Sequence, residues 1–181
     1  MRFASAPYFQ DHHVSTTADH KAQAPVSVRC AVIAVSDTRS VKTDTGGQSV
    51  VERLTAAGHA VVERHIVPDE PERMRPLLQQ LCDRGDVDAV LLTGGTGITR
   101  RDQTYETVCG LLTKPLPGYG ELFRLLSYQE IGAAAMLSRA VGGLVDRTVV
   151  LTMPGSPAAV RLAMEQVILP ELGHLVREAQ R

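Results

Sequence analysis

The chain has 181 residues, of which 44% are hydrophobic and 22% are charged, and its formal net charge is −1. This length suits one domain with its own core. The near-neutral charge excludes a basic nucleic-acid-binding surface and a polybasic membrane patch, and no apolar run is long enough to span a bilayer. Cys30, Cys82 and Cys109 form no CxxC pair, which argues against a zinc site and a disulfide framework and suits a cytoplasmic protein. All three cysteines lie in apolar stretches and are predicted to be buried.

The first half of the chain predicts an arm followed by strands and helices. Residues 1–25 show no hydrophobic periodicity and no signal-peptide core, so we predict a disordered N-terminal arm and a single domain over residues 26–181. Residues 28–35 form a near-continuous apolar run, typical of a strand buried on both faces. A helix ending at Gly58 follows, and residues 45–48 have the spacing of a capping box.

The same alternation continues to the C-terminus. Further strands are predicted at 60–67, 88–93 and 148–153, and helices at 71–84, 103–112 and in segments up to 139. Ser156 and Pro157 are predicted to start the last helix, which Pro170 should bend or break. Strands separated by helices of this length predict an α/β fold, namely a three-layer α/β/α sandwich with a mainly parallel, Rossmann-like sheet.

Polar and glycine-rich clusters directly follow four of the predicted strands. Ligands of an open parallel sheet bind outside the carboxyl ends of its strands, near the switch in strand order. Because all four clusters lie at such ends, we expect them to form one site. The residues assigned to it are Ser36, Asp37, Asp44, Asp69, Gly94, Gly95, Thr96, Gly97, Arg100, Arg101, Asp102, Pro154, Gly155 and Ser156.

Two features of these clusters indicate a phosphate-bearing ligand with magnesium. The glycines at 94–97 precede Arg100 and Arg101, and backbone amides beside guanidinium groups suit phosphate, although a glycine-rich turn also occurs for tight geometry alone. Four aspartates from different loops are expected to converge on the same rim. Mg²⁺ is held by one or two carboxylates together with substrate phosphates.

Several motifs resemble the MoaB/MogA family of molybdenum cofactor biosynthesis proteins, in the family's order and spacing. The most specific is Leu92-Thr-Gly-Gly-Thr-Gly-Ile-Thr-Arg-Arg-Asp-Gln-Thr104. The others are Ser36-Asp-Thr-Arg39, Gly118-Tyr-Gly-Glu-Leu-Phe-Arg124, Ser127-Tyr-Gln-Glu-Ile-Gly132, Leu137-Ser-Arg-Ala140 and Pro154-Gly-Ser-Pro157. The resemblance covers nearly everything after the arm, and the Gly118 and Ser127 motifs favour the MoaB branch.

The resemblance implies an activity and an assembly. Active members of the family bind molybdopterin and use Mg-ATP to transfer AMP to its phosphate, releasing pyrophosphate, and they assemble as trimers or hexamers. The product passes to a downstream metal-insertion protein. By this resemblance Asp69 and Asp102 are the catalytic acids and tentative Mg²⁺ ligands, while Ser138 and Arg139, with Ser156, line the pterin side. No permanently bound cofactor is expected, since ATP is a co-substrate.

Two departures leave an alternative open. Gly46 stands where many MoaB-type members have serine, and Tyr105 stands where MogA-type members tend to have proline. Because part of the MoaB branch lacks adenylylation activity, the alternative to an adenylyltransferase is a non-catalytic molybdopterin-binding paralogue in the same pathway.

Overall fold

The structure is a computed structural model that describes Pro25 and residues 27–181, so the predicted arm at residues 1–25 lies outside the described residues except for Pro25. The strands are β1 (Arg29–Val35), β2 (Ala60–Val67), β3 (Ala89–Thr93), β4 (Lys114–Pro115), β5 (Gly142–Val145) and β6 (Thr148–Met153). The helices are α1 (Thr45–Ala56), α2 (Pro71–Cys82), α3 (Thr104–Cys109), α4 (Pro117–Ile131), a 3₁₀ helix (Gly132–Leu137), α5 (Pro157–Leu162), a π-helical segment (Ala163–Ile168) and α6 (Leu169–Gln180).

The sheet has six strands in the order β2-β1-β3-β6-β5-β4. The first four are mutually parallel, while β5 runs antiparallel to β6 and β4 runs antiparallel to β5. Because these four parallel strands are neighbours, the loops after β1, β2, β3 and β6 lie side by side at one edge, and the strand order reverses between β1 and β3. The predicted mainly parallel sheet is confirmed, with an antiparallel extension at one end.

Two apolar cores cover the two faces of the sheet. On β1, Cys30 and Val32 pack on the side of α1, α4, α5 and α6, whereas Ile33 and Val35 pack on the side of α2 and α3. This alternation follows from the two-residue period of a strand. Because both faces are covered, the central strands β1, β3 and β6 are buried and mostly apolar, and the predicted three-layer α/β/α sandwich is confirmed.

The antiparallel pair of β4 and β5 was not predicted from the sequence. β5 opens with Gly142 and Gly143, which have low strand propensity. Both positions lack room for a side chain: a Cβ at Gly142 would lie 2.5 Å from Leu151 Cδ2, and one at Gly143 would lie 2.4 Å from the Lys114 carbonyl oxygen. Close packing against neighbouring strands therefore explains these glycines.

Three local predictions need correction. The N-cap of α1 is Asp44, whose Oδ1 accepts a hydrogen bond of 2.9 Å from the Gly47 amide, so the predicted capping box starting at Thr45 is wrong. Helices α2 and α3 end at Cys82 and Cys109, earlier than predicted. Cys30 is buried as predicted, but Cys82 is only partly buried, and Cys109, the last residue of the short helix α3, is exposed.

The C-terminal helical region begins as predicted, and its hydrogen-bond pattern changes near Pro170. Ser156 accepts a hydrogen bond of 3.3 Å from the Ala159 amide, and Pro157 follows at the first helical position. The π-helical segment interrupts the helix just before Pro170, whose missing N–H favours a break in the hydrogen-bond ladder. Within the described part of the chain, no helix is both long and apolar enough to cross a membrane.

A buried acid at the entrance to β3 gives a stability prediction. Asp88 accepts hydrogen bonds from the Arg29 amide (2.9 Å), from Arg29 Nε and Nη2 (3.0 and 2.6 Å) and from Gln180 Nε2 (3.1 Å). The Arg29 guanidinium holds the pKa of Asp88 below its usual value. We expect Asp88→Asn to lower the free energy of unfolding by about 2 kcal/mol at neutral pH, because Asn cannot accept this set of bonds.

The pH dependence of this effect has a defined sign. A carboxyl with a lowered folded-state pKa stabilises the fold above its unfolded pKa, and this contribution is lost as the pH falls through the folded value. The wild-type and Asp88→Asn urea midpoints should therefore converge below about pH 4. Asp86→Asn is the control: its carboxylate is 54% exposed and pairs with Arg84, so its effect should be much smaller. Equal losses in the two variants would contradict the prediction.

Candidate functional site

A glycine turn lies at the centre of the site, at the carboxyl end of β3. Gly94 and Gly95 have φ values of +102° and +64°, which favour glycine, and the Gly94 amide donates to the Met153 carbonyl at 2.9 Å. A Cβ at Gly94 would lie 2.2 Å from the Val35 carbonyl oxygen, so the turn fits only a glycine. Among the described residues, no backbone acceptor is bonded to the amides of Gly95, Thr96 or Gly97.

Two acids lie against this turn. A Cβ on Gly95 would lie 2.3 Å from Asp69 Oδ2, and a Cβ on Gly97 would lie 2.9 Å from Asp102 Oδ2. Burial raises the pKa of Asp69; the Gln103 amide lowers it, and the nearby charges of Asp102 and Asp37 raise it further. Negative charge is therefore concentrated beside free backbone amides, and a cation bound here would relieve the repulsion.

The free carboxylate oxygens suit a magnesium ion. Asp69 Oδ1 accepts from the Gln103 amide (2.9 Å) and Asp102 Oδ2 accepts from the Thr99 amide (2.8 Å). The second oxygen of each carboxylate accepts no hydrogen bond from any described residue. The described residues contain no cluster of three or more His, Cys, Asp or Glu side chains arranged around a metal position. A metal at Asp69 and Asp102 would thus need further oxygens from a ligand, which is the usual way that Mg²⁺ binds beside phosphates.

The two arginines of the turn have different surroundings. Arg101 forms ion pairs with Asp37 (2.6 and 2.8 Å) and with Glu70 (2.9 Å). The hydrogen bonds from Arg101 lower the pKa of Asp37 to about 2. Arg100 is exposed and forms no ion pair with any described residue. Arg100 therefore has the guanidinium that is available to a phosphate.

Two cavities flank the glycine turn. One, of about 280 Å³, is lined by residues from the loops after β1, β3 and β6 and the start of α1, including Ser36, Asp44, Gly46, Gly94, Gly95 and Gly155. The other, of about 230 Å³, is lined by Thr96, Gly97, Ser127, Ser138, Pro154 and Ser156 together with apolar side chains of α4 and the 3₁₀ helix. A larger cavity of about 610 Å³ lies beside the paired strands β4 and β5 and does not include the turn.

The predicted site residues are brought together, but several have structural tasks. Asp44 caps α1 and forms an ion pair of 2.7 Å with Arg64, so its carboxylate is already engaged. Ser36 Oγ accepts from the amides of Thr38 and Arg39 at 3.3 and 3.2 Å. Ser138, the residue before Arg139, lines the smaller cavity and accepts from the Ala140 amide at 3.4 Å. Asp37, Asp69 and Asp102 lie close together: Asp37 Oδ1 accepts from the Asp69 amide at 3.1 Å, and the charges of Asp37 and Asp102 raise the pKa of Asp69.

Three residues at the site were not predicted from the sequence. Arg64 reaches from β2 to Asp44, and Thr93, at the end of β3, lines the larger of the two flanking cavities. Ser127 lines the smaller one from α4 and is 5% exposed. A serine surrounded by apolar residues on a helix was the available signal, but the pattern of α4 by itself does not indicate which face meets the glycine turn.

An α/β domain whose glycine turn separates two cavities at the carboxyl ends of its strands has the features of a small-ligand-binding domain of the open-sheet class. The chain belongs to the MoaB/MogA family of molybdenum cofactor biosynthesis proteins: a family model described as a probable molybdopterin binding domain matches residues 31–174. It is 52% identical over 164 residues to "Molybdenum cofactor biosynthesis protein B" of Bacillus anthracis, covering 90% of this chain and 97% of the relative.

Solved structures agree with this assignment. A crystal structure of a molybdenum cofactor biosynthesis protein B superposes with a TM-score of 0.84 at 52% identity, covering 88% of this chain and 99% of the other. The tungsten cofactor synthesizing protein MoaB from Pyrococcus furiosus superposes with a TM-score of 0.76 at 36% identity, covering 87% of this chain and all of the other. A MogA structure is similar at 27% identity, with a TM-score of 0.76 and coverage of 83% and 99%.

Proposed function

We propose that this protein binds molybdopterin and ATP on either side of the glycine turn and transfers the adenylyl group to the pterin's phosphate. An oxygen of that phosphate attacks the α-phosphorus of ATP, the bond between the α- and β-phosphates breaks, and pyrophosphate leaves with the electron pair. The main support for this proposal is the pair of cavities, which meet at the free backbone amides of the glycine turn beside Asp69 and Asp102.

The residues present suit the electrostatic problem of this reaction. Two anions must approach each other, so the barrier is lowered by positive charge and by fixed donors at the transferring phosphorus. The amides of Gly95, Thr96 and Gly97 supply donors that need no reorganisation, and Arg100 supplies a guanidinium. Asp69 and Asp102 would hold Mg²⁺, which when bound neutralises charge at the phosphates.

Direct measurement of turnover tests this proposal. Purified protein with ATP, Mg²⁺ and molybdopterin should release pyrophosphate and form a product heavier than the pterin by one adenylyl group. A pterin lacking the terminal phosphate is the matched control, because it has no attacking oxygen and should release no pyrophosphate. Tight molybdopterin binding without any pyrophosphate release would refute the proposed adenylyltransferase activity.

The second candidate is a non-catalytic molybdopterin-binding protein of the same pathway. It is favoured by the ion pairs of Arg101, because Asp37 and Glu70 already neutralise one of the two arginines beside the turn. This candidate requires pterin binding to persist when ATP and Mg²⁺ are omitted.

Under the leading proposal, the adenylylated product passes to a metal-insertion protein. The cytoplasmic location stays a prediction.

We also propose that the chain forms a trimer or a hexamer. Large apolar side chains on α4 and the 3₁₀ helix are exposed: Leu122, Leu125, Tyr128, Ile131, Met136 and Leu137 are 54, 57, 61, 59, 77 and 49% exposed. An apolar surface of this extent is typical of a contact between subunits.

Light scattering after size exclusion should therefore report a multiple of three chains, and Leu125→Glu should produce monomers because a buried carboxylate opposes association. Val41→Glu is the control, since Val41 is 73% exposed and lies outside this face; it should leave the assembly unchanged. A wild-type monomer at micromolar concentration would contradict the assembly.

A further inference from the structure

Arg139 joins the two ends of the loop that carries Asp102. Its Nε donates to the Gly97 carbonyl at 2.6 Å, and its Nη2 donates to the Asp102 carbonyl at 2.9 Å. Its own amide donates to the Thr96 carbonyl at 2.9 Å. One side chain thus closes residues 97–102 into a defined loop, at a distance of 37 to 42 residues along the chain.

The remaining face of the guanidinium is also engaged. Nη1 forms an ion pair with Glu106, and the guanidinium carbon lies 5.2 Å from the centroid of the Tyr105 ring. Stacking and pairing fix the plane of the group, so that its two other donors point at the loop carbonyls. The Arg139 side chain is 26% exposed, which reduces the screening of these interactions by water.

A single peptide group links Arg139 to the second acid. The carbonyl of Asp102 accepts from Arg139, and the amide of the same peptide group, that of Gln103, donates to Asp69 Oδ1 at 2.9 Å. Hydrogen bonds connected through a peptide polarise one another, so a cation at the carbonyl strengthens the donor at the amide. The position of this peptide group therefore affects the orientation of both acids.

We infer that Arg139 is a positioning residue that holds Asp102 and, through the peptide group between Asp102 and Gln103, Asp69 in their places beside the glycine turn. Its value for catalysis rests on the proposed function, but its effect on the loop does not. This role differs from a direct contact with the pterin, which the sequence analysis predicted, because the donor nitrogens of Arg139 are already committed to the loop and to Glu106.

Amide hydrogen exchange measured by NMR tests the loop directly and needs no substrate. The amides of Thr99, Asp102 and Gln103 depend on the closed loop for their acceptors. In Arg139→Ala they should exchange about tenfold faster, the change expected for loss of charged hydrogen bonds. Arg139→Lys should fall in between, since an ammonium group reaches one carbonyl but lacks the planar fork.

Arg124→Ala is the matched control. Arg124 also donates to a backbone carbonyl of the neighbouring segment, that of Ala140 at 3.1 Å, but has no contact with the loop. It should leave the loop amides unchanged. Equal exchange in wild type and Arg139→Ala would overturn the inference. So would faster exchange of strand amides such as Leu91 by the same factor, because that would indicate a general loss of stability.

Turnover provides the second readout. If the protein adenylylates molybdopterin, Arg139→Ala should lower kcat at least tenfold with a smaller change in KM for ATP, and Arg139→Lys should restore part of kcat. A change confined to KM would overturn the positioning role in favour of direct binding. Absence of turnover in the wild type would refute the proposed function, whereas the exchange of the loop amides would still decide the role of Arg139.

Discussion

Asp102→Asn should reduce pyrophosphate release at least about a hundredfold while preserving the fold and most of the pterin binding. The Asp102 carboxylate lies against Gly97 and keeps one oxygen free for a cation. An amide at this position retains the size of the side chain but supplies no negative charge, so the expected loss is in kcat. The initial rate of pyrophosphate release, at saturating ATP and molybdopterin, measures it.

Asp69→Asn should give a similar loss, since Asp69 lies beside Asp102 and the same turn. The double variant should lose less than the product of the two single effects, because both acids would serve one ion. Asp86→Asn serves as the control: this acid is exposed, pairs with Arg84 and is not part of the site, and its variant should keep wild-type turnover. Full activity in either single variant would exclude that acid from the reaction.

Gly94→Ala is expected to destabilise the fold by about 3 kcal/mol or more. Its φ of +102° disfavours any Cβ, and the added atom would lie 2.2 Å from the Val35 carbonyl oxygen, which belongs to the backbone of β1 and cannot move alone. β1 and the glycine turn would have to separate, and the free amides would leave the site. The urea midpoint and molybdopterin affinity should therefore fall together.

Gly58→Ala separates the cost of a positive φ from the cost of the clash with the β1 backbone. Gly58 has a similar φ of +85°, but nothing lies within 4 Å of a Cβ at this position. Alanine there should cost only about 1 kcal/mol, the penalty of the left-handed conformation, and should not change ligand binding. If the two glycine variants lowered the free energy of unfolding by the same amount, the close approach of Gly94 to β1 would make no contribution to the loss.

Patterns local in the sequence predicted the central strands and the location of the site. β6 has the bounds expected from its largely apolar run, because burial on both faces leaves a signal in consecutive residues. The predicted bounds of β2, a partly exposed edge strand, are also confirmed. The loop clusters after β1, β2, β3 and β6 met at one edge because parallel strands place their carboxyl ends together. The motif resemblance led to the same family as the comparisons.

Strand order and packing decided the rest, since they bring together residues that are distant in the chain. Arg100 and Arg101 are adjacent in the sequence and were both predicted to bind phosphate, but Arg101 pairs with Asp37, 64 residues away, because β1 and β3 are neighbours in the sheet. Gly142 and Gly143 look unlike a strand, and only the closeness of Leu151 and Lys114 explains them. Arg139 similarly acquires its contacts with the 97–102 loop from the position of the chain between the 3₁₀ helix and β5. Side-chain partners of this kind depend on tertiary contacts, which leave no periodic signal in the sequence.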